Sequence, residues 1–104
     1  MKLPEDPFVL ELLPEFVDTW IQDIEDQFKP LIDAKNSDEL YRFGHTIKGS
    51  CFQFGLDDIA EKGIELMGYA KQKDWNNAVN KGTEIKRSFE MAKTEIEEKL
   101  QQQQ

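Results

Sequence analysis

The chain has 104 residues, of which 38% are hydrophobic, 11% aromatic and 33% charged, a length for one domain and a composition that buries one core beneath a charged surface. Its 21 acidic against 13 basic side chains give a formal charge of −8, which disfavours nucleic acid and anionic membrane surfaces and fits a protein partner with a basic face. The single cysteine, Cys51, excludes an intramolecular disulfide and a thiolate zinc site and suits a reducing cytoplasm, while no apolar run approaches the roughly 20 residues of a membrane helix and the opening residues lack a signal peptide's hydrophobic stretch.

Glycine and proline never cluster into a linker, alternating strand patterns are absent, and apolar residues recur at helical spacing in nearly every window, so the fold class is all-α. A short opening helix is predicted from about Pro7 to Leu13, with Asp6 as N-cap and proline at the first helical position. Pro14 then restarts the chain. The second helix carries Phe16, Val17, Trp20, Ile21, Ile24, Phe28, Leu31 and Ile32 at three- and four-residue steps. Pro30, lacking an amide donor, should bend or interrupt its last turns before it ends near Lys35 and Asn36.

Ser37 is the expected N-cap of the third helix, with Asp38 and Glu39 complementing the partial positive charge of its first turn and Gly55 as its stop. Asp57 is expected to cap a fourth helix with Ile59, Ala60, Gly63, Ile64, Met67 and Ala70 inward. Asp74 caps a fifth that turns Ala78, Val79, Gly82, Ile85, Phe89, Ala92, Ile96 and Leu100 to the core. Short connections make consecutive helices antiparallel neighbours, which predicts an up-down-up-down four-helix bundle closed at one end by the short N-terminal helix. Residues 1–100 form this single domain, and Gln101 to Gln104 a disordered polar tail.

Projected at about 100° per residue from Leu40, the third helix puts Phe43, Ile47, Cys51 and Phe54 within about 60° of the buried direction. On the same projection His45, the only histidine, falls at about 140°, Gly49 at about 180°, Lys48 at about 80°, Tyr41 at about 100° and Phe52 at about 120°. The histidine is therefore off the core face. Helical side chains lean toward the N-terminus, so a side chain at position 49 would lie over the imidazole, and glycine leaves that space open. Glycine within a helix costs about 1 kcal/mol relative to alanine, and access to the ring is the gain that offsets it. Gly44 lets a neighbouring helix approach closely. Lys48, three residues on, can stabilise negative charge on a group carried by the ring. A neutral imidazole is a competent nucleophile near pH 7, and a phosphorus–nitrogen bond is labile enough to pass a phosphoryl group onward.

His45-Thr46-Ile47-Lys48-Gly49-Ser50 followed by Phe54-Gly55-Leu56 resembles the signature of histidine-containing phosphotransfer (HPt) domains of two-component phosphorelays. The likeness extends to the apolar spacing leading into the motif and to the order and lengths of the helices over essentially the whole chain. It implies a phosphorelay intermediate that takes a phosphoryl group from the aspartyl phosphate of one response-regulator receiver domain and passes it to another, with a sensor or hybrid histidine kinase upstream. Carried over by residue, His45 would be the phospho-acceptor, Lys48 the charge stabiliser and Gly49 the clearance residue. No intrinsic cofactor or metal is implied, the Mg²⁺ of the transfer being expected in the partner receiver domain. Some members carry a glutamine and a basic residue on the next helix, which by offset fall on Met67 and Lys71. The glutamine is absent here, and by the same offset the resemblance implies Lys71 as a second positive group beside the site.

Tyr41 and Phe52, with Lys71, are candidate docking residues for a receiver domain; packing at the edge of the bundle is the plainer role for the two aromatics. Cys51 is expected to be a small buried hydrophobe rather than a redox thiol, and Trp20, Phe28, Phe89 and Met91 core rather than a cofactor box, with Met91 peripheral. No inward Glu-x-x-His pair supports a metal site, and the glycines form no phosphate-cradling loop. The expectation is a monomeric, cytoplasmic phosphoryl carrier without autonomous kinase activity, with neither nucleic acid nor membrane as partner. The competing reading is a helical scaffold or adaptor that binds receiver domains and never carries phosphate. An enzyme built on paired inward carboxylates ranks last, because no persuasive pair occurs.

Overall fold

The computed structural model describes residues 2–102, which are helical almost throughout and contain no strand. The elements are α1 (Pro7–Asp23), a π-helical turn (Ile24–Phe28), α2 (Lys29–Asp33), α3 (Ser37–Gln53), α4 (Asp57–Gln72) and α5 (Trp75–Gln102). The first three are consecutive segments without a break, so four long helical elements pack together.

Asp6 caps α1 as its sequence position requires, its Oδ1 accepting the Phe8 N–H at 2.9 Å with Pro7 in the first turn. The helix does not stop at Leu13, however. Pro14 lies inside it, and the expected short N-terminal helix is the first part of one 17-residue helix. Interior proline costs about 3 kcal/mol through its missing N–H and ring clash. Leu10 and Leu13 before it and Val17 after it are all completely buried on one continuous stripe, which a break would disrupt.

Pro30 acts as expected, and the form of the interruption is the π turn. Its missing amide would have bonded to the carbonyl of Asp26, which lies in that widened turn, and the chain resumes α-helical winding at Lys29. Lys35 then takes a left-handed conformation (φ 50°), and the Asn36 N–H donates back to the Leu31 carbonyl at 3.1 Å. That places Asn36, not Ser37, at the N-cap of α3, where its Oδ1 accepts the Glu39 N–H at 3.2 Å.

Gly55 stops α3 as expected, with φ 78° and two bonds, Gly55 N–H to the Phe52 carbonyl (3.2 Å) and Leu56 N–H to the Cys51 carbonyl (2.8 Å). The next helix starts immediately, so Leu56 is its N-cap and Asp57 its first residue, a one-place correction to the expected Asp57 cap. Leu56 is fully buried, so core packing claims the cap position, and Asp57 and Asp58 complement the first turn by charge. Asp74 caps α5 as predicted: its Oδ1 accepts the Asn77 N–H at 3.3 Å and its Oδ2 the Asn77 side-chain amide at 2.7 Å. Helix α5 continues through Gln102, so Gln101 and Gln102 are helical rather than part of a disordered tail. Gln103 and Gln104 lie outside the described residues.

The core centres on aromatic rings. Trp20 stacks nearly parallel to Phe89 (centroids 6.1 Å, 4°) and meets Phe43 edge-on (5.7 Å, 85°), while Phe28 leans on Phe43 at 6.1 Å. Among the described residues no polar or charged residue is buried. Two expected core residues, Ile64 and Val79, are exposed, and Leu66 is completely buried instead. Helix α4 packs on both α3 and α5, so its buried arc turns through Leu66 and leaves Ile64 at the solvent edge. Met91 is peripheral, as expected.

Ion pairs tie α5 to its neighbours: Lys93 to Asp18 at 2.7 Å, Lys86 to Glu25 at 3.1 Å and Lys81 to Glu65 at 3.0 Å. Lys81 also meets Glu84 at 2.6 Å, and the hydrogen bond to Glu84, then that to Glu65, raises its ammonium pKa above the usual lysine value. No helix of the described residues is long and apolar enough to cross a membrane.

Candidate functional site

Helix α3 packs more extensively on α4 than any other pair of elements does, and glycine makes the close approach possible. A Cβ at Gly44 would stand 2.9 Å from the Gly63 carbonyl oxygen and 3.0 Å from Met67 Cγ. One at Gly63 would stand 2.9 Å from the Gly44 carbonyl oxygen and 3.0 Å from the Lys48 nitrogen. The two backbones therefore approach closely on either side of position 45, with Met67 and Ile47 packed beside the two glycines, and the helix carrying the histidine is held against its neighbour.

From this braced segment His45 projects into solvent. At Gly49, one turn on, an added Cβ would meet nothing within 4 Å, so the surface at that position is open. Lys48 is half-buried and its backbone abuts Gly63. Among the described residues no ion pair or hydrogen bond engages the His45 ring or the Lys48 ammonium group, so both are available to an incoming group.

Tyr41 and Phe52 are 41% and 43% exposed, which puts both on the surface that flanks the histidine rather than in the core. Lys71 lies with Tyr41 in a shallow cleft of about 410 Å³ that also includes Ser37, Asp38, Ala70 and Lys73. The structure thus brings Lys71 to Tyr41, at the N-terminal end of α3. Met67, at the position where a glutamine was absent, packs over Gly44, the residue preceding the histidine.

Charge is distributed unevenly around the site. Between Glu39 and Asp57 there is no acidic residue, although the chain has 21, and Arg42 and Lys48 supply the positive charge of that stretch. The composition of that stretch alone carries this feature. Two features of the structure have no counterpart in the sequence pattern: an ion pair, Arg42 Nη1 to Glu39 Oε1 at 3.2 Å, and a groove of about 490 Å³ between the end of α1, the π turn, α2 and α3, lined by Trp20 and Phe43 and reaching Thr46. The groove depends on the π turn, which no sequence periodicity announces.

Cys51 is completely buried on the opposite face, and burial pushes its thiol pKa up to about 12, so it is unreactive in the folded state. Among the described residues no group of three or more His, Cys, Asp or Glu side chains is placed to hold a metal ion. Searches with this chain match no family model, no curated protein and no solved structure.

Proposed function

We propose that the chain is a phosphoryl carrier of the HPt type, with His45 as the acceptor. The observation that carries this reading is a solvent-exposed imidazole on a braced helix, with open space at Gly49 and an unpaired ammonium three residues on at Lys48. In the proposed reaction a ring nitrogen of neutral His45 attacks the phosphorus of an aspartyl phosphate in line. The phosphorus–oxygen bond to the aspartate breaks, regenerating its carboxylate, and the ring loses its proton to solvent. Lys48 neutralises charge on the phosphoryl oxygens as the group crosses. The reverse sequence, with a second receiver domain, discharges the histidine. Mg²⁺ belongs to the receiver's half of the site, and the histidine side supplies the nucleophile, the cation and a face on which Tyr41, Phe52 and Lys71 receive the partner.

The rest of the reading follows the same proposal: an antiparallel up-down-up-down arrangement of the four elements, supported by the short connections, and a monomeric cytoplasmic protein without kinase activity of its own. A receiver domain charged with acetyl phosphate and mixed with the protein should transfer acid-labile label that disappears in His45→Gln. Exposure of Tyr41 and Phe52 also suits an adaptor that binds receivers without accepting phosphate. Receiver binding with no transfer of label under these conditions would favour that second reading and end the first.

A further inference from the structure

We infer that Arg42 is a second phosphoryl-binding residue, held by Glu39 until His45 is charged; this rests on the phospho-acceptor reading above. At about 100° per residue, Arg42 and Lys48 lie about 60° to either side of His45, one turn before it and one turn after. Because helical side chains lean toward the N-terminus, a group on the imidazole projects over the turn that carries Arg42, while Lys48 leans back toward the ring from the other side. The two cations bracket the position of the phosphoryl group.

In the uncharged protein the Arg42 guanidinium is 3.2 Å from Glu39 Oε1, with 74% of the arginine side chain and 46% of the glutamate side chain exposed. That contact is weak, salt-screened and easily exchanged. A phosphoryl group carries more negative charge than one carboxylate and offers oxygens that match the planar guanidinium fork, so charging His45 creates the stronger partner for Arg42. Between Glu39 and Asp57 the chain has no other acidic residue, and of the acids that line the groove beside Arg42, namely Asp23, Asp26 and Glu39, only Glu39 is within ion-pair distance of it. The nearby Thr46 hydroxyl is not an alternative donor, since it already donates to the Arg42 carbonyl at 2.9 Å.

The test needs no partner protein. Phosphoramidate charges an accessible histidine directly: a ring nitrogen bonds to phosphorus, the bond from phosphorus to ammonia breaks, and the ring proton leaves as ammonium. The pH midpoint of the phosphoryl group's last ionisation is then followed by phosphorus NMR in the wild type, Arg42→Gln and Arg42→Lys. A bound guanidinium favours the dianion, so Arg42→Gln should raise the midpoint by about 0.5 pH unit, a roughly threefold change in proton affinity, with Arg42→Lys between the two. High salt should shrink the difference. Identical midpoints in the wild type and Arg42→Gln at low salt overturn the role of Arg42 while leaving His45 as acceptor. Absence of any histidine-linked phosphorus signal in the wild type overturns the acceptor reading itself, and this inference with it.

Discussion

Replacing Gly49 by alanine separates what the fold wants from what the proposed chemistry wants. Glycine in a helix interior costs about 1 kcal/mol relative to alanine. At Gly49 a Cβ meets nothing within 4 Å, so the substitution gains that amount without a steric charge against it. For a domain of this size, 1 kcal/mol corresponds to a rise in Tm of about 4 °C. Gly44 provides the internal control, five residues earlier in the same helix. Its added Cβ would be 2.9 Å from the Gly63 carbonyl oxygen, 3.0 Å from Met67 Cγ and 3.2 Å from the Met67 nitrogen. The methionine side chain can move but the backbone of α4 cannot do so cheaply, and overpacking of this kind costs about 1–3 kcal/mol, outweighing the helix-propensity gain. Thermal melts and urea titrations followed by circular dichroism should therefore give opposite signs for Gly49→Ala and Gly44→Ala. Transfer to Gly49→Ala should slow by about tenfold, because the new methyl group crowds the approach to the ring. A Gly49→Ala protein that is both less stable and fully active would refute the steric reasoning on both counts.

Other expectations follow from the same contacts. Gly82→Ala should destabilise by about 1–3 kcal/mol in a urea titration, since its Cβ would overlap the Phe28 ring. Lys73→Gly should stabilise by roughly 0.5–1 kcal/mol, because Lys73 holds φ 58° at the end of α4, a conformation that penalises a side chain. Asp74→Ala should cost about 1 kcal/mol through loss of the α5 cap, measured in the same way. Burial raises the Cys51 thiol pKa from 9.0 to about 12, so the folded state retains the proton that the unfolded state gives up. That contribution to stability is complete below about pH 9 and is lost as pH climbs toward 12. The wild type should accordingly lose stability above pH 9 more steeply than Cys51→Ala, and equal slopes would contradict the assignment.

The helix ends and the solvent face of α3 were legible where one residue's chemistry decides the outcome. Asp6 before Pro7, Gly55 with its positive φ, and Asp74 before Trp75 each do locally what their types favour. The misplaced features all arise from competition between local preference and packing. Pro14 is a helix breaker overridden by the buried stripe of Leu10, Leu13 and Val17. Leu56 takes a cap position from Asp57 because its side chain belongs to the core. Asn36 displaces Ser37 because the left-handed Lys35 fixes where the preceding helix ends. Ile64 and Val79 fit the helical period, but which edge of that period faces solvent depends on where the neighbouring helices lie. At the site, the positions of His45, Lys48 and Gly49 followed from one helix projection, whereas Arg42 acquires its interest only from the pair it makes with Glu39.

Intact mass measured at neutral pH, after mixing the protein with a receiver domain charged by acetyl phosphate, addresses the central proposal most directly. The wild type should gain one phosphoryl mass that is lost on acidification, and His45→Gln, equally folded by circular dichroism, should gain none. A wild-type mass that stays unchanged with competent charged receivers, or a His45→Gln protein that still acquires the group, would contradict the account.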